Sequence, residues 1–154
     1  MKTLYMLIGM PASGKSTWFD KIVADKSKVH YLSTDQYIEL YADVQGKTYN
    51  EVFDEYIKTA TNLMLLESEI ASHSENDVYF DQTNLTVKSR KKKLSWFPDH
   101  RKVAVVFNSC SPIEYINRLN SRVGKSIPQH VLKSMAASYQ KPTLEEGFDQ
   151  IIYT

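Results

Sequence analysis

The run from Gly9 to Thr17, Gly-Met-Pro-Ala-Ser-Gly-Lys-Ser-Thr, constrains this chain more than any other feature. Two glycines five positions apart, followed by Lys-Ser, form the phosphate-binding loop (Walker A) pattern. Glycine allows a turn so tight that successive backbone N–H groups point at one anion, and the positive end of the following helix adds to the attraction. An apolar, strand-like run, Thr3–Ile8, precedes the loop, and helical spacing follows it. The pattern predicts binding of a nucleoside triphosphate.

Individual positions of the loop have predicted roles. Lys15 is expected to reach the β- and γ-phosphates, and the Ser16 hydroxyl to ligate Mg²⁺. No Asn-Lys-x-Asp or Thr-Lys-x-Asp guanine signature occurs, so ATP is favoured over GTP. The residues predicted to hold the nucleotide all belong to this loop: Gly9, Pro11, Ala12, Ser13, Gly14, Lys15, Ser16 and Thr17.

Length and composition limit the remaining choices. A chain of 154 residues is expected to form a single domain, residues 1–154. The formal net charge is +1, so any basic binding site must be local. The single cysteine, Cys110, cannot form an internal disulfide, which favours a cytoplasmic setting. No apolar run approaches the roughly eighteen residues of a membrane span. A membrane partner is therefore not expected, and the oligomeric state is left open, a homo-oligomer included.

Strand-like and helix-like segments alternate along the chain, which predicts an α/β fold with a parallel five-stranded sheet and helices on both faces. The predicted strands are Thr3–Ile8, Val29–Ser33, Val78–Phe80, Val103–Phe107 and Gln150–Tyr153. The predicted helices cover residues 16–24, 36–41, 49–72, 86–96, 111–122 and 128–139.

Two carboxylates follow strands of this predicted sheet. Ligands of open parallel sheets bind beyond the carboxyl ends of the strands, where the second strand leads to Asp35 and the third to Asp81. Asp35 suits a general base that accepts a proton from an alcohol, although an aspartate there can also cap a helix. Asp81 is placed to hold a Mg²⁺-bound water, and a solvated strand end is the alternative.

Arg118 and Arg122 are four positions apart, so we expect them on one face of a helix, next to Gly124. They are typical of a lid that brings guanidinium groups to a transferring phosphoryl group. Two solvated arginines are the alternative. Residues 118–128 are called the lid segment below.

One dense basic cluster follows the third strand: Lys88, Arg90, Lys91, Lys92 and Lys93. The cluster closely follows Asp81 at the end of the third predicted strand, so it could contact a polyanionic acceptor. Lys88 and Arg90 are the predicted contacts. A solvent-exposed helix surface explains such a run equally well.

In this order, the phosphate loop, Ser33-Thr34-Asp35, the run Asp81–Leu85 and the lid segment resemble the phage-type polynucleotide 5′-hydroxyl kinases. The likeness extends from Met1 to about Met135, through Pro128-x-x-Val131-Leu132-x-Ser134-Met135. The wider group includes zeta-toxin-like small-molecule kinases, which share the phosphate loop and the aspartates that follow the strands.

The resemblance implies a P-loop kinase fold with the third strand beside the first. It further implies that Lys15 and Ser16 hold ATP·Mg²⁺, and that Asp35 activates the 5′-hydroxyl of a DNA or RNA end during nucleic-acid repair. Arg122, supported by Arg118, would stabilise the transferred phosphoryl group. The residues implied to shape the acceptor pocket are Thr83 and Asn84.

Two departures fall on the acceptor side. The arginine that the family places three residues after the base is Ile38 here, and Gln82 interrupts the family's Asp-Thr-Asn run. Since the chain stops at Thr154, no phosphatase domain is expected.

Two other functions remain open: a kinase for a nucleoside, sugar or nucleotide sugar, and a non-catalytic module that senses ATP.

Overall fold

A computed structural model of the chain describes residues 1–108 and 110–154. The strands are β1 (Thr3–Ile8), β2 (Val29–Leu32), β3 (Asp77–Asp81), β4 (Arg101–Val106) and β5 (Gln150–Tyr153). The α-helices of the described residues are α1 (Lys15–Ile22), α2 (Thr34–Gln45), α3 (Tyr49–His73), α4 (Val87–Leu94), α5 (Pro112–Asn120) and α6 (Gln129–Ser138).

The five strands form one parallel sheet in the order β2-β3-β1-β4-β5. This confirms the predicted α/β fold, and it places the third strand beside the first, with Leu7 of β1 paired to Asp81 of β3. β5 is an edge strand with the predicted bounds, Gln150–Tyr153. Among the described residues, no helix has the length and hydropathy needed to cross a membrane.

β1 is the middle strand of the sheet, and helices cover both of its faces. Successive side chains of a strand point to opposite faces. Leu4, Met6 and Ile8 belong to a buried cluster with residues of α3 and α4, among them Met64 and Leu94. On the other face, α1 packs against the sheet through Trp18 and Phe19. Strands buried on both faces require a continuous apolar run, which is why β1 could be recognised in the sequence.

Two helix predictions were wrong. The short turn expected at residues 36–41 is a twelve-residue helix, α2, which ends at Gln45 and is followed by Gly46 with φ 64°. α5 ends at Asn120, so Arg122 lies beyond it rather than on the same helical face as Arg118. Both α4 and α5 begin after a residue that caps the helix: the Thr86 side chain accepts a hydrogen bond from the Ser89 N–H, and that of Ser111 from the Glu114 N–H.

His100, which follows α4, is a buried histidine. It is 3% exposed, and neither ring nitrogen has a hydrogen-bond partner among the described residues. Burial, together with the charges of Lys2 and Lys102, lowers the pKa of His100 below its ordinary value. At neutral pH the ring of His100 is therefore uncharged in the folded protein.

We predict that the free energy of unfolding falls as the pH falls below the ordinary histidine pKa of about 6.5. His100 binds a proton more readily in the unfolded chain than in the folded protein, so acid favours the unfolded chain. His100→Phe keeps the ring's packing against Phe97 and removes the proton site. Urea unfolding between about pH 7 and about pH 5 should show a shallower loss of stability for the variant. An unchanged pH slope would contradict the assignment.

Candidate active site

The loop between β1 and α1 is shaped by two glycines for two different reasons. A Cβ at Gly9 would lie 2.6 Å from Ser13 Oγ and 3.0 Å from the Phe107 carbonyl oxygen, so no larger residue fits. Gly14 has φ +100°, a left-handed conformation that side chains rarely adopt. The Gly9 N–H donates to the Thr83 carbonyl oxygen at 3.0 Å, which ties the loop to the end of β3.

Lys15 is buried inside this loop, at 8% exposure. Its ammonium donates to the carbonyl oxygens of Gly9 at 3.0 Å and Met10 at 2.9 Å. Burial lowers the pKa of Lys15, and the nearby carboxylates of Asp81 and Asp35 oppose that effect. The residues of the loop that line the neighbouring cleft are Pro11, Ala12, Ser13, Gly14, Lys15, Ser16 and Thr17.

Asp81 ends β3 and faces the same lysine. Its Oδ2 accepts a hydrogen bond from the Tyr31 hydroxyl. Burial raises the pKa of Asp81, and the charge of Lys15 opposes the rise. Burial and the adjacent Asp81 also raise the pKa of the Tyr31 phenol. Tyr31 therefore acts as a donor that orients this carboxylate.

The donors present here fit a magnesium site. Ser16 and Asp81 both line the cleft and supply a hydroxyl and a carboxylate oxygen. Mg²⁺ is commonly held by one or two such hard oxygens, with phosphates and water completing the shell. Within residues 1–108 and 110–154, no group of three or more His, Cys, Asp or Glu side chains could hold a metal alone.

Asp35 lies in the first turn of α2, where both of its carboxylate oxygens have partners. Oδ1 accepts from the Tyr49 hydroxyl at 2.7 Å, and Oδ2 accepts from the Lys125 ammonium at 3.0 Å. Burial alone would raise the pKa of Asp35, but Lys125, Tyr49 and Arg122 outweigh burial and bring the pKa below its ordinary value. The helix-capping alternative does not hold, because Ser33 is the N-cap residue and Asp35 bonds to side chains.

The lid segment approaches the loop with both arginines. A Cβ built on Gly14 would lie 3.5 Å from Arg118 Nη1, and Arg118 also pairs with Glu114 at 2.5 Å. Arg122 Nη1 is buried without a partner in the described part of the chain. Its charge acts on both Asp35 and Lys15.

One cleft of about 1560 Å³ gathers the residues that the sequence singled out from four separate stretches. Those lining it are Lys15, Ser16, Asp35, Asp81, Thr83, Asn84, Arg118 and Arg122. A site with a buried ammonium, an ionised carboxylate and a guanidinium around one space has the parts needed for phosphoryl transfer.

The acceptor contact predicted for Arg90 is wrong. Arg90 is fully buried, and its Nε and Nη2 each donate to Glu146 at 2.8 Å. Its Nη1 donates to the carbonyl oxygens of Asn84 and Leu85 at 3.0 Å. Because all three guanidinium nitrogens donate to groups inside the protein, Arg90 joins α4 to the turn that contains Glu146 and is not placed to contact an acceptor.

Other residues of the acceptor side also differ from expectation. Lys88 is exposed and does not line the cleft, whereas Lys93 lines it and donates to Asn84 Oδ1 at 2.5 Å. Burial lowers the pKa of Lys93 to about 8. Asn84 is 1% exposed, with φ 49°, and its amide donates to the Leu7 carbonyl oxygen at 2.7 Å. Asn84 therefore fixes the end of β3 against β1 from the edge of the cleft, and Thr83 is the other predicted acceptor residue of this run that lines the cleft.

Three residues of the site escaped prediction: Tyr31, Tyr49 and Lys125. Tyr49 opens a helix and Tyr31 lies in a strand, and nothing in the local pattern distinguishes either from a packing residue. Lys125 belongs to the lid segment, so the resemblance was the one signal that pointed near it.

The model of the AAA domain family matches residues 4–142. The L-seryl-tRNA(Sec) kinase of Methanococcus maripaludis is 25% identical over 150 residues, 95% of this chain and 56% of the kinase. The chain thus spans just over half the length of that relative.

Two solved structures show the same fold. A Chloroflexus aurantiacus protein described as a candidate kinase has a TM-score of 0.68 at 17% identity, with 99% of this chain and 84% of that chain covered. A fungal RNA kinase has a TM-score of 0.63 at 15% identity, with 99% of this chain and 73% of that chain covered. The fold seen here is therefore shared with P-loop kinases.

We predict that Glu146→Gln lowers the free energy of unfolding by about 3–5 kcal/mol, because it leaves the buried Arg90 guanidinium without its counter-charge. Glu145→Gln, at the exposed neighbouring position, is the matched control and should change stability by less than about 0.5 kcal/mol. Urea unfolding measures both. Equal stability of the two variants would show that the ion pair does not hold this part of the fold.

Proposed function

The chain belongs to the AAA domain family, and on that premise we propose that it is an ATP-dependent phosphotransferase whose acceptor is an alcohol. One observation carries the proposal: Lys15, Asp35 and Arg122, which are far apart in sequence, line a single cleft. An ATP-sensing module has no use for an ionised, oriented carboxylate beside the phosphate loop. The second alternative from the sequence is therefore disfavoured.

In the proposed reaction, the acceptor hydroxyl oxygen bonds to the γ-phosphorus of ATP, the bond from that phosphorus to the β–γ bridging oxygen breaks, and ADP leaves. Asp35 accepts the hydroxyl proton, which requires the ionised carboxylate that its lowered pKa provides. Lys15 and Arg122 offset charge that spreads over the phosphoryl oxygens. Ser16 and Asp81 would hold Mg²⁺, which supplies further charge neutralisation at the phosphates.

For the acceptor we propose the 5′-hydroxyl of an RNA or DNA end, a reaction of nucleic-acid repair. Two observations support it. The relatives include proteins named as a tRNA kinase and an RNA kinase. The cleft also presents the aromatic rings of Tyr49 and Phe53, 5.6 Å apart, as surfaces on which a terminal base can stack.

A small-molecule alcohol is the second candidate, because the acceptor side is poor in free cations. Ile38, which replaces the family arginine, is fully buried. Arg90 is bound to Glu146, and the carboxylates of Glu39 and Asp54 line the cleft. Such walls suit a neutral polyol or nucleoside better than a phosphate chain.

We predict that the protein transfers labelled γ-phosphate from ATP to one member of a panel of 5′-hydroxyl oligonucleotides, nucleosides and sugars. Asp35→Asn should lower kcat by about 10²–10⁴-fold, because the amide cannot accept the proton. Lys15→Met should cost about 10²–10³-fold through lost charge stabilisation. Lys58→Met, at an exposed lysine of α3, is the control. A variant Asp35→Asn with nearly full activity would refute the general base. ATP binding without transfer to any acceptor would refute the phosphotransferase.

A second prediction separates the two acceptor classes. If a nucleic-acid end is the acceptor, the KM for the oligonucleotide should rise steeply with salt, because phosphates release counterions on binding. The KM for a nucleoside or sugar should respond far less. Initial rates at several concentrations of KCl measure both. A salt-independent KM for the oligonucleotide would favour the small-molecule acceptor.

A further inference from the structure

Two side chains from remote elements hold the Asp35 carboxylate. Tyr49, the first residue of α3, donates to Oδ1 at 2.7 Å. Lys125, in the lid segment 90 positions away, donates to Oδ2 at 3.0 Å. A carboxylate accepts about four hydrogen bonds, so both oxygens retain capacity for an acceptor hydroxyl. These two donors fix the orientation of the carboxylate without blocking it.

The lid segment is fastened to the start of α3 by one residue, Asn50. Its Nδ2 donates to Ser126 Oγ at 2.8 Å and to the Ser126 carbonyl oxygen at 3.2 Å, while its Oδ1 accepts from the Ser126 N–H at 3.1 Å. The Asn50 N–H donates to the Gly124 carbonyl oxygen at 3.0 Å. A Cβ at Gly124 would lie 2.6 Å from the Thr48 Cβ, so glycine is required for this close approach.

Lys125 lies between the two fastened residues, Gly124 and Ser126. Its side chain is 14% exposed. Besides Asp35, the ammonium contacts Glu39 Oε1 at 2.8 Å and lies 4.4 Å from the centre of the Tyr49 ring. Because both backbone neighbours are bound to α3, the position of the ammonium depends on that attachment.

From these contacts we infer that Lys125 and Tyr49 are positioning residues for Asp35, and that Asn50, by docking the lid segment, brings Lys125 to the carboxylate. The inference rests on the proposed function for its catalytic meaning, since it makes the base competent only when the lid segment is docked. Docking of the lid segment thus controls Asp35 through contacts that the phosphate loop does not make.

The charges around Asp35 determine the expected effect. Lys125 and Arg122 face it from the lid segment and Tyr49 from α3, and Lys15 faces it from α1. Asp81 and Tyr31 of the sheet, with Glu39 of its own helix, are the acidic groups nearby. Without Lys125, only Tyr49 and Arg122 remain to oppose the effect of burial, so the pKa of Asp35 is expected to rise.

The test is a pH titration of the Asp35 carboxyl carbon by ¹³C NMR in the ligand-free protein. Lys125→Met should move the titration midpoint upward, and Lys125→Arg, which keeps the cation, should restore most of the wild-type value. Asn50→Ala should move it in the same upward direction, although Asn50 does not touch Asp35. Ser126→Ala, at an exposed position, weakens the same attachment and serves if Asn50→Ala folds poorly.

Matched controls are Lys133→Met and Asn62→Ala, at exposed positions of α6 and α3. Neither should move the midpoint. An unchanged midpoint in Lys125→Met would overturn the positioning role. A shift in Lys125→Met with none in Asn50→Ala or Ser126→Ala would overturn the role of docking.

Kinetics give a second readout with the acceptor identified by the transfer assay. Lys125→Met and Asn50→Ala should lower kcat roughly 10- to 100-fold through misplacement of the base, with the KM for ATP unchanged. A raised KM for ATP with an unchanged kcat would contradict the inference. If wild-type protein transfers phosphate to no hydroxyl, the proposed function fails, and the titration still tests the contacts.

Discussion

The pairing of β1 with β3 is the constraint on which the rest of the site depends. It places Asp81 opposite Leu7, one residue before the end of the strand that leads into the phosphate loop. Two further bonds secure the junction, from the Gly9 N–H to the Thr83 carbonyl oxygen and from the Asn84 amide to the Leu7 carbonyl oxygen. The phosphate loop and Asp81 thus lie at one edge of the sheet and are held together by these bonds.

Two carboxylates at this edge have opposite environments. Burial dominates at Asp81 and raises its pKa, whereas Lys125 and Tyr49 overcome burial at Asp35 and lower its pKa. Pairs of titratable groups that are shifted apart in this way commonly divide the roles in a site. Asp35, ionised and oriented, suits proton acceptance, and Asp81, next to Lys15, suits the phosphate and metal side. The difference arises from which donors reach each group, since both residues are aspartates near a strand end.

On the acceptor side of the cleft, unlike the nucleotide side, several polar residues stabilise the fold instead of facing a ligand. Several polar residues there serve the fold: Arg90 is bound to Glu146, Asn84 to Leu7, and Lys93 to Asn84. The aromatic rings of Tyr49 and Phe53 and the mixed charges of Glu39, Asp54 and Lys125 also line the cleft. This explains why the phosphate loop was recognisable in isolation, while the acceptor wall was not.

The sequence by itself determined the nucleotide side and the sheet. A phosphate loop is local, because backbone N–H groups and one lysine within a few residues do the binding, and strands buried on both faces leave a continuous apolar run. It could not decide how Arg90 and Asn84 are used, because a buried ion pair or amide depends on partners distant in the chain. Nor could it find Tyr49 and Lys125 as the partners of Asp35. Their contacts exist only once α2, α3 and the lid segment pack together, over separations of 14 and 90 residues.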